Sequence, residues 1–165
     1  MKKLELSGKK GRGLFVLIDD EDFEKVNKWK WQLSNRGYAS RPQWIKPRKL
    51  NKQTTIYLHR LILSFPDLEV DHINMNKLDN RKENLRLVND LESSYHRGKH
   101  KDNRSGYKGV SFHEQKWRKK KWRAQIKING KNINIGYFDN PIEAARTYDK
   151  VAKENFGKFA YLNFP

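Results

Sequence analysis

The chain has 165 residues, with 36 Lys+Arg against 19 Asp+Glu, a formal net charge of +17 and a pI near 10.0. An excess of that size calls for an anionic partner, and 36% apolar with 12% aromatic residues suffices for compact cores rather than long-range disorder. Cysteine is absent, which excludes disulfides, thiol nucleophiles and thiolate-held metals, and the sequence has neither an apolar run of the ~20 residues that span a bilayer nor an apolar block after Met1-Lys2-Lys3, so a soluble intracellular protein is expected.

Leu14-Phe15-Val16-Leu17-Ile18 is an apolar run of strand length, and the carboxylates of Asp19-Asp20-Glu21-Asp22 suit a helix N-terminus. A helix over about 20–29 places Phe23, Val26 and Trp29 on one face. Over residues 31–41, Asn35-Arg36-Gly37 interrupts two alternating segments as a hairpin turn does. Residues 42–53 contain two prolines and the cations Lys46, Arg48, Lys49 and Lys52, and read as an exposed loop able to touch an anion. Thr54-Thr55-Ile56-Tyr57 has strand propensity. Residues 58–65 are an apolar octet, a short buried helix or a strand continuation, which Pro66 ends. Within it His59 reads as an amphipathic position beside the core and Arg60 as a phosphate-facing cation, with a direct catalytic part as the alternative for both.

Charge then divides the chain. Residues 67–93 hold seven acids and four bases, whereas residues 97–131 hold thirteen bases and two acids. The joint over 97–106 has no apolar residue and two glycines, so a basic, flexible tether is expected over 99–105.

The acidic part reads as strand, polar loop, strand and helix: residues 68–73 and 85–88 flank the loop, and Asn89-Asp90 can cap a helix to about Arg97. Side chains of neighbouring strand residues point to opposite faces, so Asp71 and His72 can serve one site only where the strand ends. There the carboxylate can hold a hard divalent cation and the imidazole can take a proton from water. Val70-Asp71-His72-Ile73-Asn74, with Asp79-Asn80-Arg81 and Glu83-Asn84-Leu85-Arg86, closely resembles the H-N-H endonucleases of phages and mobile introns, and Leu58-His59-Arg60-Leu61-Ile62 is similar to that family's lead-in. The resemblance implies a ββα-metal fold and homing-endonuclease-like hydrolysis of DNA phosphodiesters with one Mg²⁺ (or Mn²⁺) ion, in a bacterial cytoplasm if a phage encodes the chain. It implies Asp71 as metal ligand, His72 as general base, and Asn84 as the residue that braces the loop and orients the imidazole. The family's third signature residue, a His or Asn on the helix, falls on Ser93. His96 lies one helical turn on, on the same face, and can supply the ligand instead.

In the basic part, Trp122-Arg123-Ala124-Gln125-Ile126-Lys127-Ile128 is apolar at even and polar at odd positions, the pattern of a half-buried strand. Asn129-Gly130 is a strong hairpin signal. The strand over 132–138 is expected to bury Ile133, Ile135 and Tyr137, and residues 107–113 supply a third strand. Asp139-Asn140-Pro141 starts a helix whose inner face carries Ile142, Ala145, Tyr148, Val151 and Ala152. Three strands on one helix leave one sheet face open. It presents Arg123, Gln125, Lys127, Asn132 and Asn134, residue types that bond to base edges and phosphates, and a narrow antiparallel ribbon can enter a major groove. The run Arg118-Lys119-Lys120-Lys121 adds phosphate contacts, with Arg118 and Lys121 foremost. Tyr107-Lys108-Gly109-Val110, Trp122-Arg123-Ala124-Gln125-Ile126, Ile135-Gly136-Tyr137-Phe138 and Glu143-Ala144-Ala145-Arg146-Thr147-Tyr148-Asp149 together resemble the APETALA2/ERF-type DNA-binding domain. The resemblance implies that Lys108, Ser111, His113, Arg123, Gln125, Lys127, Asn132 and Asn134 fall on or beside DNA-facing positions. Ser111, Asn132 and Asn134 replace arginines and a tryptophan of that family, so its target sequence does not carry over.

The expectation for the whole chain is an α+β protein. A mixed α/β lead-in covers 1–53, an H-N-H module 54–98, the tether 99–105, and a three-stranded antiparallel sheet packed on one helix 106–165. Double-stranded DNA is the expected partner, with no membrane and no small-molecule cofactor beyond the metal. Two alternatives stand beside the nuclease. One is a catalytically inactive DNA-binding regulator or recombination accessory protein on an H-N-H scaffold, suggested by Ser93. The other is an RNA-binding protein, which the deep, narrow major groove of duplex RNA disfavours.

Overall fold

Strand β1 (Lys2–Glu5) pairs with the apolar β2 (Phe15–Ile18) in an antiparallel ladder that sets Leu4 opposite Val16. The structure, a computed structural model, describes residues 1–45, 53–114, 117 and 119–165. Three acids fill the first turn of α1 (Asp20–Asn27), where they complement the helix dipole. The helix stops two residues short of Trp29, so the helical period no longer governs that side chain. Trp29 is 44% exposed with its ring 4.0 Å from the Arg41 guanidinium, and Trp31 takes the core position instead, its Nε1 donating to the Val26 carbonyl at 3.0 Å.

Strands β3 (Gln32–Leu33), β4 (Ala39–Trp44) and β5 (Gln53–Tyr57) form an antiparallel sheet in that order. The first part of the expected 42–53 loop is strand: Pro42 pairs with Thr55 where β3 has already ended, a position that tolerates a missing N–H. Lys46, Arg48, Lys49 and Lys52 lie outside the described residues. Helix α2 (Leu58–Ile62) follows, then β6 (Glu69–His72) and β7 (Leu85–Val88), antiparallel, with Asp71 opposite Arg86 and His72 opposite Leu85.

These elements make one compact unit, Met1–Asn89. The N-terminal residues do not form a core of their own: Leu4, Leu6, Val16, Ile18, Val26, Trp31 and Ala39 pack with Leu58, Ile62 and Leu85. The loop between β6 and β7 is tied to β2 by two backbone bonds, Leu17 N–H to the Leu78 carbonyl and Asn80 N–H to the Leu17 carbonyl, both 2.8 Å.

The second unit is Asp90–Pro165 and includes α3 (Asp90–His96). The division therefore falls ahead of the 99–105 segment, because Tyr95 stacks on Phe156 with ring centroids 3.8 Å apart and so draws α3 to the C-terminal core. The 99–105 segment also holds built turns: Asn103 Nδ2 donates to the Tyr107 carbonyl at 2.8 Å and Ser105 Oγ to the Val110 carbonyl at 2.9 Å. Strands β8 (Val110–Phe112), β9 (Trp122–Ile128) and β10 (Lys131–Phe138) lie in the order β10-β9-β8. Helix α4 (Pro141–Phe156), capped by the Asn140 side chain, covers one face with Ala144, Ala145, Tyr148 and Ala152 against Val110, Ala124 and Ile126. Ile142, expected on that inner face, is 47% exposed, and Ala144 takes its place.

A bulge between Asn134 and Gly136 resets the parity of β10. Ile135 packs inward, Phe138 pairs with Trp122 on the core side, and Tyr137 stands opposite Arg123 on the polar face. Burial of Tyr137 and Ile133 was the expectation from unbroken alternation; Ile133 is 44% exposed. The architecture is thus mixed α and β. Among the described residues no helix is long and apolar enough to cross a membrane.

Candidate active site and nucleic-acid interface

Asp71 and His72 are the last two residues of β6, at the point where the chain leaves the ladder. Arg86, across the ladder, places Nε and Nη2 at 2.9 and 2.7 Å from Asp71 Oδ2, and the Asp71 side chain retains 20% exposure. His72 is 2% exposed, and its Nε2 is buried with no hydrogen-bond partner. Burial pushes the imidazole towards its neutral form. The Asn80 side chain and the Asp71 and Asp79 carboxylates pull the other way.

A ring cluster surrounds His72. The His59 ring stands edge-on at 5.2 Å and Tyr38 at 5.7 Å, while His59 is itself 5.0 Å from Tyr38 and stacked on Tyr57 at 5.6 Å. Burial, reinforced by His72 and Arg60, pushes the His59 pKa down to about 3, so it is neutral at any ordinary pH. Burial and then Asp71 and Glu69 raise the Tyr38 pKa. Sequence reasoning missed Tyr38 and Tyr57, since nothing local ties a hairpin turn at 34–38 to a strand end at 72. The Arg86 partner was within reach, because antiparallel pairing of the two predicted strands sets it opposite Asp71.

The loop between the strands is held by its own polar side chains. Buried Asn84 accepts from the Asn74 N–H at 2.9 Å and donates to the Asp79 carbonyl at 2.8 Å. Asp79, 2% exposed, receives Arg81 Nε and Nη2 at 2.8 and 2.7 Å and Asn74 Nδ2 at 2.8 Å, and Arg81 holds its pKa below the usual carboxylate range. Asp71, His72 and Asn84 thus belong to one unit, while Ser93 and buried His96 lie on α3 of the other. Among the described residues no group of three or more His, Asp or Glu side chains is placed to hold a metal ion. The Arg60 guanidinium donates to the Leu68 carbonyl at 3.3 Å and to that of Pro66, so its hydrogen bonds go to chain reversal.

In the second unit the polar face is ordered by register. Ser111, Arg123 and Tyr137 form one rung, Gln125 and Asn134 the next, Lys127 and Asn132 the last. Arg123 donates to Gln125 Oε1, while Arg123 Nε and Ser111 Oγ are shielded from water with no partner. Lys127, Asn132 and Asn134 are exposed, and the His113 ring lies 6.4 Å from Tyr137. Lys121 is 3.9 Å from Glu114, a loose pair, and Arg118 lies outside the described residues. Lys108 is turned away from this role: its Nζ donates to the Tyr95 carbonyl at 2.6 Å, and burial pushes its pKa down to about 8.

Comparison with known proteins adds family information to this geometry. The profile described as HNH endonuclease matches residues 57–95, which run from the end of β5 into α3. An uncharacterized HNH endonuclease of Acanthamoeba polyphaga mimivirus is 32% identical over 155 residues, covering 93% of this chain and 77% of that protein. Protein 3.8 of Escherichia phage T7 is 32% identical over 91 residues, covering 55% of this chain and 72% of that protein.

Proposed function

Because the chain belongs to the HNH endonuclease family, we propose that it is a metal-dependent enzyme that hydrolyses phosphodiester bonds in duplex DNA, with His72 as general base. The observation that carries this reading is a buried imidazole with an unpartnered Nε2, next in sequence to an Asp71 carboxylate that keeps contact with solvent. Nε2 of neutral His72 accepts a proton from water as the water oxygen attacks phosphorus, the phosphorus–oxygen bond to one sugar breaks, and the departing sugar oxygen takes a proton from solvent. Arg86 fixes the Asp71 carboxylate, and Asn84 fixes the loop that follows His72.

Asp71 suits a divalent ion in donor type. Mg²⁺ keeps several waters and takes one or two carboxylates plus substrate oxygens, so one carboxylate fits without a three-residue cage. Asp71 would hold Mg²⁺ or Mn²⁺, which when bound would supply charge stabilisation to the phosphate and the leaving oxygen. The family pattern puts its further donor at Ser93, and His96, one helical turn on, is the substitute that helical spacing offers. The sheet face of Ser111, Arg123, Gln125, Lys127, Asn132 and Asn134 supplies duplex affinity, with base-edge contacts from the amides and phosphate contacts from the cations.

Plasmid relaxation tests the reading. With Mg²⁺ or Mn²⁺ the protein nicks or cuts, EDTA abolishes this, and His72→Ala abolishes it while DNA retention is unchanged. The second reading, a DNA-binding regulator on a dead scaffold, rests on Ser93 in place of His or Asn. It predicts retention with no cleavage under any metal, and no change in His72→Ala.

A further inference from the structure

The roles above leave the cations of residues 1–45 unused, yet several of these are exposed on built turns. Residues 7–13, Ser-Gly-Lys-Lys-Gly-Arg-Gly, join β1 to β2 with three cations and no acid. Gly11 is required by space, because a Cβ there would stand 2.7 Å from the Ser7 carbonyl oxygen. The loop folds on itself: the Gly11 and Arg12 N–H groups donate to the Gly8 carbonyl at 3.1 Å, and Leu14 N–H donates to the Gly11 carbonyl at 2.9 Å. Its cations therefore sit on a built turn.

Lys9 and Arg12 are exposed and border a shallow concavity with Ser7 and Gly8, where Glu5 is the one acid. Neither cation has a side-chain hydrogen bond or ion pair among the described residues. Lys10 docks the loop on the next turn, its Nζ donating to Asn35 Oδ1 at 2.7 Å, and that turn presents exposed Arg36. Lys77 Nζ donates to the Arg36 carbonyl at 2.9 Å and lies 4.5 Å from the Tyr38 ring, which is 5.7 Å from the ring of His72. Lys10, the turn of Arg36 and Lys77 are thus joined by contacts that reach Tyr38 beside the proposed base, and Lys9 and Arg12 share the loop of Lys10; these five cations are termed the strip. Three of the four acids of α1 are matched elsewhere, Asp20 with the N-terminus and Glu21 and Asp22 with Lys82.

We infer that this strip is a second DNA-contact site, which holds the sugar-phosphate backbone of duplex DNA on its approach to the scissile phosphate. The inference rests on the nuclease reading above and gives the N-terminal residues the task of placing substrate, separately from the C-terminal sheet. The N–H groups of Gly11, Arg12 and Leu14 are used inside the loop, so contact is made by side chains to phosphate and carries no sequence information.

The absence of cysteine allows a direct test in the 165-residue chain. Arg12→Cys and, separately, Lys127→Cys each carry a photoactivated crosslinker, with labelled duplex DNA as probe and duplex RNA as competitor. Two results are expected: crosslinking from position 12, and, in Lys9→Gln/Arg12→Gln/Arg36→Gln, a log–log salt slope shallower by about 2–3, at ~0.9 for each phosphate no longer neutralised. Crosslinking from position 127 but not from 12, or an unchanged slope, overturns the strip and leaves the DNA reading standing. Crosslinking from neither position overturns both. Equal displacement by RNA overturns duplex DNA as the occupant.

Discussion

Lys108 shows how burial changes what a cation does. The family resemblance puts it on or beside a DNA-facing position, but its ammonium is spent on the Tyr95 carbonyl, and its pKa falls to about 8 from the ordinary 10.5. Between those two values the unfolded chain binds more protons than the folded one, so stability rises with pH across that window. In urea unfolding followed by tryptophan fluorescence, the wild type should therefore gain on Lys108→Met between pH 7.5 and about 10. An equal response in both proteins would show that Lys108 is not desolvated. Arg60 makes the same point through the carbonyls of Pro66 and Leu68. Residue type and spacing made Asp71, His72 and Asn84 legible as a motif. They could not show which cations are consumed by backbone carbonyls, because that depends on where other segments end.

At the scale of elements, β8 and α4 meet where only glycine fits. Gly109 has φ +76, and a Cβ there would lie 2.2 Å from the Tyr148 ring and 2.8 Å from the Gln125 carbonyl oxygen. Gly109→Ala should cost the second unit about 2–4 kcal/mol, about 1–2 from backbone strain and the rest from overpacking. Gly130, at φ +80 with nothing near its missing Cβ, is the control. Its alanine variant should lose only the strain, about 1–2 kcal/mol, in the same urea titration. Equal losses would mean that Tyr148 moves aside freely. The β10 bulge belongs to this scale too. Alternation made β9 legible residue by residue, but one extra residue at Ile135 exchanged the faces of Tyr137 and Phe138.

For the whole molecule, the shared core of the first unit joins Leu4 through Ala39 to the strand pair that carries Asp71 and His72. The second unit has cores of its own and retains α3 through Tyr95 and Phe156. A fragment of residues 90–165 should therefore fold, bind duplex DNA with a steep salt dependence, and cut nothing in Mg²⁺. Filter binding and plasmid relaxation on the fragment test this. Failure of the fragment to bind would remove the sheet from the account of affinity.

The sequence by itself determined the order of strands and helices from β2 onward, though not β1 or the end of β4, together with the charge division and the H-N-H motif, because these are carried by periods of 2 and 3.6 residues and by side-chain types at fixed spacing. Tertiary structure alone decided that Tyr38 and Tyr57 surround the imidazoles of His59 and His72, and that the N-terminal residues share the core beneath them. It also decided which basic side chains stay open to a phosphate. Those outcomes depend on contacts between residues far apart in the chain, and no local period encodes them.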